Sequence, residues 1–136
     1  MRYVKLKEED KGKVIERIKE VLRKEKKVKA AILFGSFTRR NFFNDIDIAV
    51  LGELRKSDMD RIANELESRV KLPIDLKRFE ELPPKLRYAV VKEGRPILIR
   101  DKKSFLRAKR DAIAIYLDMR AFFKRYTMGV LGWSWR

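Results

Sequence analysis

The stretch LFGSFTRRNFFNDIDIAV, residues 33–50, decides the fold because it joins two apolar segments through a polar turn and a loop. The apolar run at residues 28–34 predicts a buried strand, and residues 46–51 predict a second one. Gly35 lets the backbone approach a bound group closely, and Ser36 adds a hydroxyl and an N–H. The pair fits a phosphate-binding turn, although an ordinary strand-to-helix turn with Ser36 as cap has the same sequence.

Two acids, Asp45 and Asp47, stand two residues apart at the start of the second predicted strand. Side chains at positions i and i+2 of a strand share a face, so both carboxylates project together. Like charges this close repel each other unless a cation lies between them, and carboxylate oxygens suit Mg²⁺ or Mn²⁺. Asp-x-Asp also occurs in turns, helix caps and solvated edges, but the neighbouring Gly-Ser turn favours a metal site.

A third acid, Asp75, lies between apolar neighbours in a predicted strand at residues 74–79. If this strand pairs beside the second strand, Asp75 faces the same cleft as the first two acids. Three acids and a Gly-Ser turn suit two-metal nucleotidyl transfer. In that chemistry one ion activates the attacking hydroxyl, and the other holds the triphosphate and stabilises the leaving pyrophosphate.

Hydrophobic spacing predicts a single α/β (α+β) domain over residues 1–136, with elements in the order α-β-β-α-β-α-β-α. Ser57 is predicted to cap the second helix, with an acid three residues later. The closing helix and tail occupy about residues 101–136, with the helix at 103–126. One apolar stripe of this helix is expected to be core: Phe105, Ala112, Tyr116, Met119, Phe123 and Tyr126.

The composition excludes several classes of chemistry. The 136 residues include no Cys and no His, which excludes disulfides, thiol nucleophiles, zinc–thiolate sites and imidazole catalysis. The net charge of +15 favours a nucleic-acid partner, whereas the high charged fraction is typical of a hyperthermophile surface. No apolar run approaches the ~18 residues of a membrane span, and residues 1–5 lack a signal-peptide core. We therefore expect a cytoplasmic protein.

Gly35-Ser36, the Asp45-Ile46-Asp47 motif and the later Asp75 resemble the nucleotidyltransferase superfamily related to DNA polymerase β. The chain length resembles its minimal nucleotidyltransferase (MNT) branch. The segment at residues 86–98 and the long closing helix look like those of MntA-type antitoxins, the partners of HEPN-domain toxins such as HepT. The resemblance implies a polymerase-β-like fold with a mixed central sheet flanked by helices and a long C-terminal helix.

The resemblance also implies an activity. Gly35 and Ser36 would hold the β- and γ-phosphates of ATP. Apart from the resemblance, the position of Arg39 after the turn makes it a further candidate for nucleotide binding. Asp45, Asp47 and Asp75 would be catalytic and hold two Mg²⁺ ions, with Mn²⁺ as the alternative, and Asp75 would activate the acceptor hydroxyl. AMP would move to a tyrosine of a cognate HEPN RNase toxin, which this antitoxin would thereby silence. The eight residues between Ser36 and Asp45 make a shorter loop than many MNT proteins have.

Other residues allow two interpretations. Arg39 and Arg40 suit either triphosphate oxygens or the solvated surface. The adjacent residues Phe42 and Phe43 suit either stacking on adenine or, the preferred interpretation, hydrophobic anchoring of the loop. Two tryptophans in the tail, Trp133 and Trp135, suggest a docking or oligomer contact. The end of the closing helix could extend into the same contact.

Three other functions compete with protein adenylylation. The first is nucleotidyl transfer to a small-molecule acceptor, as in antibiotic nucleotidyltransferases. The second is a non-catalytic antitoxin that neutralises its toxin by binding alone. The third is a nucleic-acid-binding module driven by charge, although the sequence carries no recognised nucleic-acid motif and nucleic acid is not the expected substrate.

Overall fold

The structure, a computed structural model, describes residues 3–127. In chain order the elements are β1 (Val4–Lys5), α1 (Glu8–Arg23), β2 (Ala30–Phe34), α2 (Ser36–Arg39), β3 (Phe42–Phe43), β4 (Ile46–Leu51), α3 (Lys56–Val70), β5 (Ile74–Arg78), a 3₁₀ turn (Phe79–Glu81), α4 (Pro84–Glu93), β6 (Arg95–Ile99) and α5 (Lys102–Tyr126). The single domain predicted over residues 1–136 stays a prediction. Among residues 3–127, no helix combines the length and apolarity needed to cross a membrane.

The central sheet has four strands in the order β5-β4-β2-β6. β2 is antiparallel to both β4 and β6, whereas β4 and β5 are parallel. The parallel pair is joined through α3, because parallel neighbours need a crossover rather than a hairpin. A separate small sheet pairs β1 with β3. The mixed central sheet predicted from the sequence is therefore confirmed.

Helices cover both faces of this sheet. On β2, Ala31 and Leu33 face the core beneath α1 and α3, while Ala30 and Ile32 face the core beneath α4 and α5. This alternation follows from the two-residue period of a strand, and it explains why β2 is continuously apolar. The α/β class, the flanking helices and the long C-terminal helix are confirmed.

Helix α3 begins earlier than predicted. Its N-cap is Arg55 rather than Ser57, and Asp58 lies in the first turn. The Asp58 carboxylate accepts a hydrogen bond from the Arg55 backbone N–H at 2.9 Å. An acid three residues after the cap satisfies this donor whatever the cap side chain is, so the cap could not be identified from its residue type.

The stripe on α5 is only partly core. Phe105 and Ala112 are buried, and Tyr116 stacks on Tyr88 of α4 with ring centroids 4.0 Å apart. Farther along, Phe123 and Tyr126 are 46% and 51% exposed, so the prediction that they lie in the core is wrong. Helical spacing identifies an apolar face but does not show what covers it.

The loop between α2 and β4 contains two adjacent aromatic residues with different environments. Phe43 is 1% exposed and packs edge-to-face on Phe37, with ring centroids 4.8 Å apart. Phe42 is 49% exposed and lies beneath the Arg40 guanidinium. Hydrophobic anchoring is therefore confirmed for Phe43. The tail residues Trp133 and Trp135 lie outside the described residues.

We predict that Phe43→Ala lowers the free energy of unfolding by about 3–5 kcal/mol, because it removes a buried ring from the core. The matched variant Phe42→Ala should cost only about 0.5 kcal/mol, since its ring is half-exposed. Urea unfolding measures both values. Equal losses would contradict the assignment of Phe43 as the loop anchor.

Candidate functional site

Three carboxylates meet at one edge of the sheet. The parallel register of β4 and β5 pairs Asp47 directly with Asp75, and Asp45 immediately precedes β4. One carboxylate oxygen from each residue lies within 4.8 Å of the other two. The structure thus brings together all three acids that the sequence singled out, and it shows that the strand of Asp75 does pair beside that of Asp47.

The cluster is electrostatically unfavourable without a cation. Burial, together with the negative charges of Asp45 and Asp75, raises the pKa of Asp47 from 3.8 to about 7. The Lys77 ammonium acts in the opposite direction. Partial burial of like charges has this effect because it disfavours the ionised form. Near neutral pH, Asp47 is therefore poised to exchange its proton for a metal ion.

Gly35 fits closely against the acid cluster. Its φ is 79°, and a Cβ added to it would lie 2.2 Å from Oδ2 of Asp47. A larger residue here would have to displace the carboxylate as well as adopt a strained backbone. The Thr38 hydroxyl donates to the Gly35 carbonyl at 2.8 Å and stabilises this turn. The Gly-Ser turn and the acids therefore form one continuous site.

A small cavity of about 120 Å³ opens beside the turn. Gly35, Thr38 and Arg39 are among its lining residues. Others come from α4 and from the glycine that follows it, namely Leu86, Ala89, Val90, Glu93 and Gly94. Arg39 therefore lies next to the turn, as a phosphate ligand would need to, whereas Arg40 packs on the ring of Phe42. The placement separates two arginines that the sequence left nearly equivalent, and the role of Arg39 in nucleotide binding stays a prediction.

Two lysines near the site were not singled out from the sequence. Lys77 lies two residues after Asp75 on β5, and its Nζ is 3.8 Å from Oδ2 of Asp75. Lys77 could have been identified from the sequence, because residues i and i+2 of a strand share a face and Lys77 follows Asp75 by two. Lys11 is a buried lysine whose ammonium donates to the carbonyl of Phe37. Lys11 lies four residues before Ile15 on the apolar face of α1. A lysine on an apolar helix face was the sequence feature that could have identified it as a buried cation.

The donor set fits a divalent cation. Three carboxylates supply hard oxygen ligands from two adjacent strands, which is the chemistry that Mg²⁺ and Mn²⁺ prefer. A bound cation would also offset the repulsion by Asp45 and Asp75, which after burial is the main cause of the raised pKa of Asp47. Asp45, Asp47 and Asp75 are thus the residues that could hold the metal.

We predict that Asp47→Asn raises the stability of the metal-free protein at pH 8 by about 1–2 kcal/mol, with allowance for solvent screening at this half-exposed cluster. The folded wild type keeps the Asp47 proton up to about pH 7, whereas the unfolded chain loses it near 3.8. Wild-type stability should therefore fall as pH rises from 4 to 7, and this fall should shrink in the variant.

Urea titrations in EDTA measure this effect, and Asp60→Asn on the exposed face of α3 is the control. Adding Mg²⁺ should raise the melting temperature of the wild type and of Asp60→Asn but not that of Asp47→Asn. Identical pH dependence in all three proteins would contradict the carboxylate coupling.

The fold is shared with several solved structures. A chain of the complex between the tri-AMPylated Shewanella oneidensis HEPN toxin and an MNT antitoxin is 23% identical, with a TM-score of 0.69; the match covers 89% of this chain and 98% of the other. A chain of the MntA–HepT toxin-antitoxin is 24% identical, with a TM-score of 0.67 and coverages of 88% and 98%. A chain of a toxin-antitoxin solved with AMP-PNP is 26% identical, with a TM-score of 0.67 and coverages of 86% and 98%.

A search of curated proteins found no match. The family described as "Polymerase beta, Nucleotidyltransferase" matches residues 16–103, a span that includes the Gly-Ser turn and all three acids. This span is more than half of the chain, and the solved relatives agree with the MNT resemblance in fold. The chain therefore belongs to the polymerase β nucleotidyltransferase family.

Proposed function

We propose that this protein is an Mg²⁺-dependent nucleotidyltransferase that moves AMP from ATP to a tyrosine hydroxyl of a cognate HEPN toxin and so acts as its antitoxin. The observation that carries the proposal is the approach of three carboxylate oxygens within 4.8 Å, beside a glycine that touches one of them. Membership of the nucleotidyltransferase family supports transferase chemistry. The toxin-antitoxin relatives, one of them with AMP-PNP, support the partner and the nucleotide.

Each site residue has a proposed role. Asp45, Asp47 and Asp75 hold the Mg²⁺ ions, and Gly35, Ser36 and Arg39 contact the triphosphate. When bound, the ions neutralise phosphate charge and lower the pKa of the attacking hydroxyl. The close approach of the Gly35 backbone to Asp47 keeps the phosphate-binding turn beside the carboxylates, which aligns the α-phosphate with the acids.

The transfer is a substitution at phosphorus. The acceptor oxygen forms a bond to the α-phosphorus, the bond from that phosphorus to the bridging oxygen breaks, and pyrophosphate leaves. The Asp75 carboxylate accepts the proton of the hydroxyl. Its side chain is 37% exposed, the position required of a base that must reach an incoming acceptor. This chemistry needs only carboxylates and metal ions, in agreement with a chain that contains no His and no Cys.

The surface of α5 supports a protein acceptor. Ile115, Phe122 and Tyr126 are 39%, 58% and 51% exposed and follow each other at spacings of seven and four, so they form one apolar face. Large exposed aromatic residues of this kind characterise protein interfaces. We propose that this face, the α5 face, contacts the toxin and presents its tyrosine to the carboxylate cluster.

Incubation of the protein with labelled ATP, Mg²⁺ and its cognate HEPN toxin tests the transfer. We expect label on the toxin from the wild type and from Asp60→Asn, and a loss of at least about a hundredfold for Asp45→Asn. Mass spectrometry should locate AMP on a tyrosine. Equal transfer by Asp45→Asn would contradict the proposed site. An Asp45→Asn protein that still neutralises the toxin without any transfer would instead establish the binding-only antitoxin.

The α5 face has its own test. Phe122→Glu should weaken toxin binding by at least about tenfold, because it places a charge in an apolar contact. Ala121→Glu, one position away on the charged side of the helix, is the matched control and should bind nearly as the wild type does. Calorimetry measures both affinities. Wild-type affinity in Phe122→Glu would remove α5 from the interface.

A further inference from the structure

The only buried charged side chain among residues 3–127 belongs to Lys11, which is 6% exposed. Its ammonium donates to the Phe37 carbonyl at 2.6 Å and also to the Arg40 carbonyl. It also lies 5.1 Å from the centroid of the Phe37 ring. Burial of an ammonium is costly unless its hydrogen bonds are made, and here two backbone acceptors and an aromatic face provide them.

These contacts connect two elements that are distant in the sequence. Lys11 lies in the first turn of α1, a sixteen-residue helix whose apolar face is buried against the sheet. The two carbonyls belong to Phe37, the second residue of α2, and to Arg40, the residue that follows the helix. The last four carbonyls of a helix have no partner within it, so both are available to the lysine. α2 has only four residues and cannot hold its own orientation. The lysine therefore fixes α2 to a rigid helix.

The orientation of α2 determines the position of the Gly-Ser turn. Ser36 is the first residue of α2, and Gly35 precedes it in contact with the Asp47 carboxylate. Rotation of α2 about this point would move the Ser36 hydroxyl and the Arg39 guanidinium relative to the acids. The strand pair β1–β3 and the buried Phe43 hold the later part of the loop. The buried Phe37 ring anchors the first part of the loop, and Lys11 adds the hydrogen bonds that tie the carbonyls of Phe37 and Arg40 to α1.

We propose that Lys11 is a positioning residue for nucleotide binding, which acts by holding α2 so that Gly35 and Ser36 face the carboxylates. The proposal rests on the proposed function for its catalytic consequence, but the placement of α2 can be tested without activity. The lysine contacts backbone carbonyls rather than substrate, so its effect should appear in affinity for ATP and in local order. Binding of the divalent ion alone should be unaffected.

Lys11→Met keeps the length and apolar stem but removes the donors, and Lys11→Arg restores them. Lys13→Met is the control, since Lys13 is exposed on the same helix. We expect Lys11→Met to raise the dissociation constant of a non-hydrolysable ATP analogue with Mg²⁺ by about tenfold, and the KM for ATP in toxin labelling by a similar factor. Mn²⁺ binding without nucleotide should change less than about twofold, and Lys11→Arg should recover most of the affinity.

Amide hydrogen exchange provides the readout that does not depend on catalysis. In Lys11→Met, exchange at residues 38–40 should accelerate while exchange in β4 stays as in the wild type. A variant with wild-type nucleotide affinity and wild-type exchange would overturn the proposal. Accelerated exchange throughout the protein would also overturn it, since Lys11 would then be a general stability residue. A wild type that neither binds the analogue nor labels the toxin, but whose exchange responds to Lys11→Met as expected, would refute the proposed function and the role of Lys11 in nucleotide binding, and would leave only the placement of α2 by Lys11.

Discussion

The parallel pairing of β4 with β5 is the constraint on which the site depends. It sets Asp47 beside Asp75, and the chain entering β4 adds Asp45, so three like charges share one edge of the sheet. Burial of Asp47 and, after it, repulsion by Asp45 and Asp75 raise the pKa of Asp47 to about 7. The fold tolerates this cost because the strands beneath are held by apolar cores on both faces. A divalent cation converts the same arrangement from repulsive to attractive.

The rest of the molecule keeps this edge in register. On the face of the sheet covered by α1 and α3, these two helices pack against each other. Ion pairs such as Arg61–Glu25 and Arg69–Glu20 join the α1 region to α3. On the opposite face of the sheet, α4 packs against the sheet and against α5, where Tyr88 and Tyr116 stack. Some of the basic side chains therefore form ion pairs that join the α1 region to α3. A thermophile origin of this surface stays a prediction.

Most of the strands and helices, and the three acids that meet in the structure, could be predicted because both depend on local sequence patterns. Short apolar runs identified β2 and β4, the i, i+2 spacing at the start of β4 identified Asp45 and Asp47, and a polar residue between apolar neighbours identified Asp75. The pairing of β4 with β5 could not be predicted from the sequence, because no local pattern shows which strands are neighbours in a sheet. The exposure of Phe123 was missed because a core face and an interface face have the same spacing. Lys11 was missed because its acceptors are backbone carbonyls, which the sequence does not display.

Diffraction from crystals grown with Mn²⁺ and a non-hydrolysable ATP analogue tests the central claim most directly. Anomalous difference density should place manganese at about 2.0–2.2 Å from carboxylate oxygens of Asp45 and Asp47, with an oxygen of Asp75 completing the site and the triphosphate against Gly35 and Ser36. Manganese elsewhere in the protein, or nucleotide bound away from the Gly-Ser turn with no metal at the three acids, would contradict the carboxylate cluster as the catalytic centre.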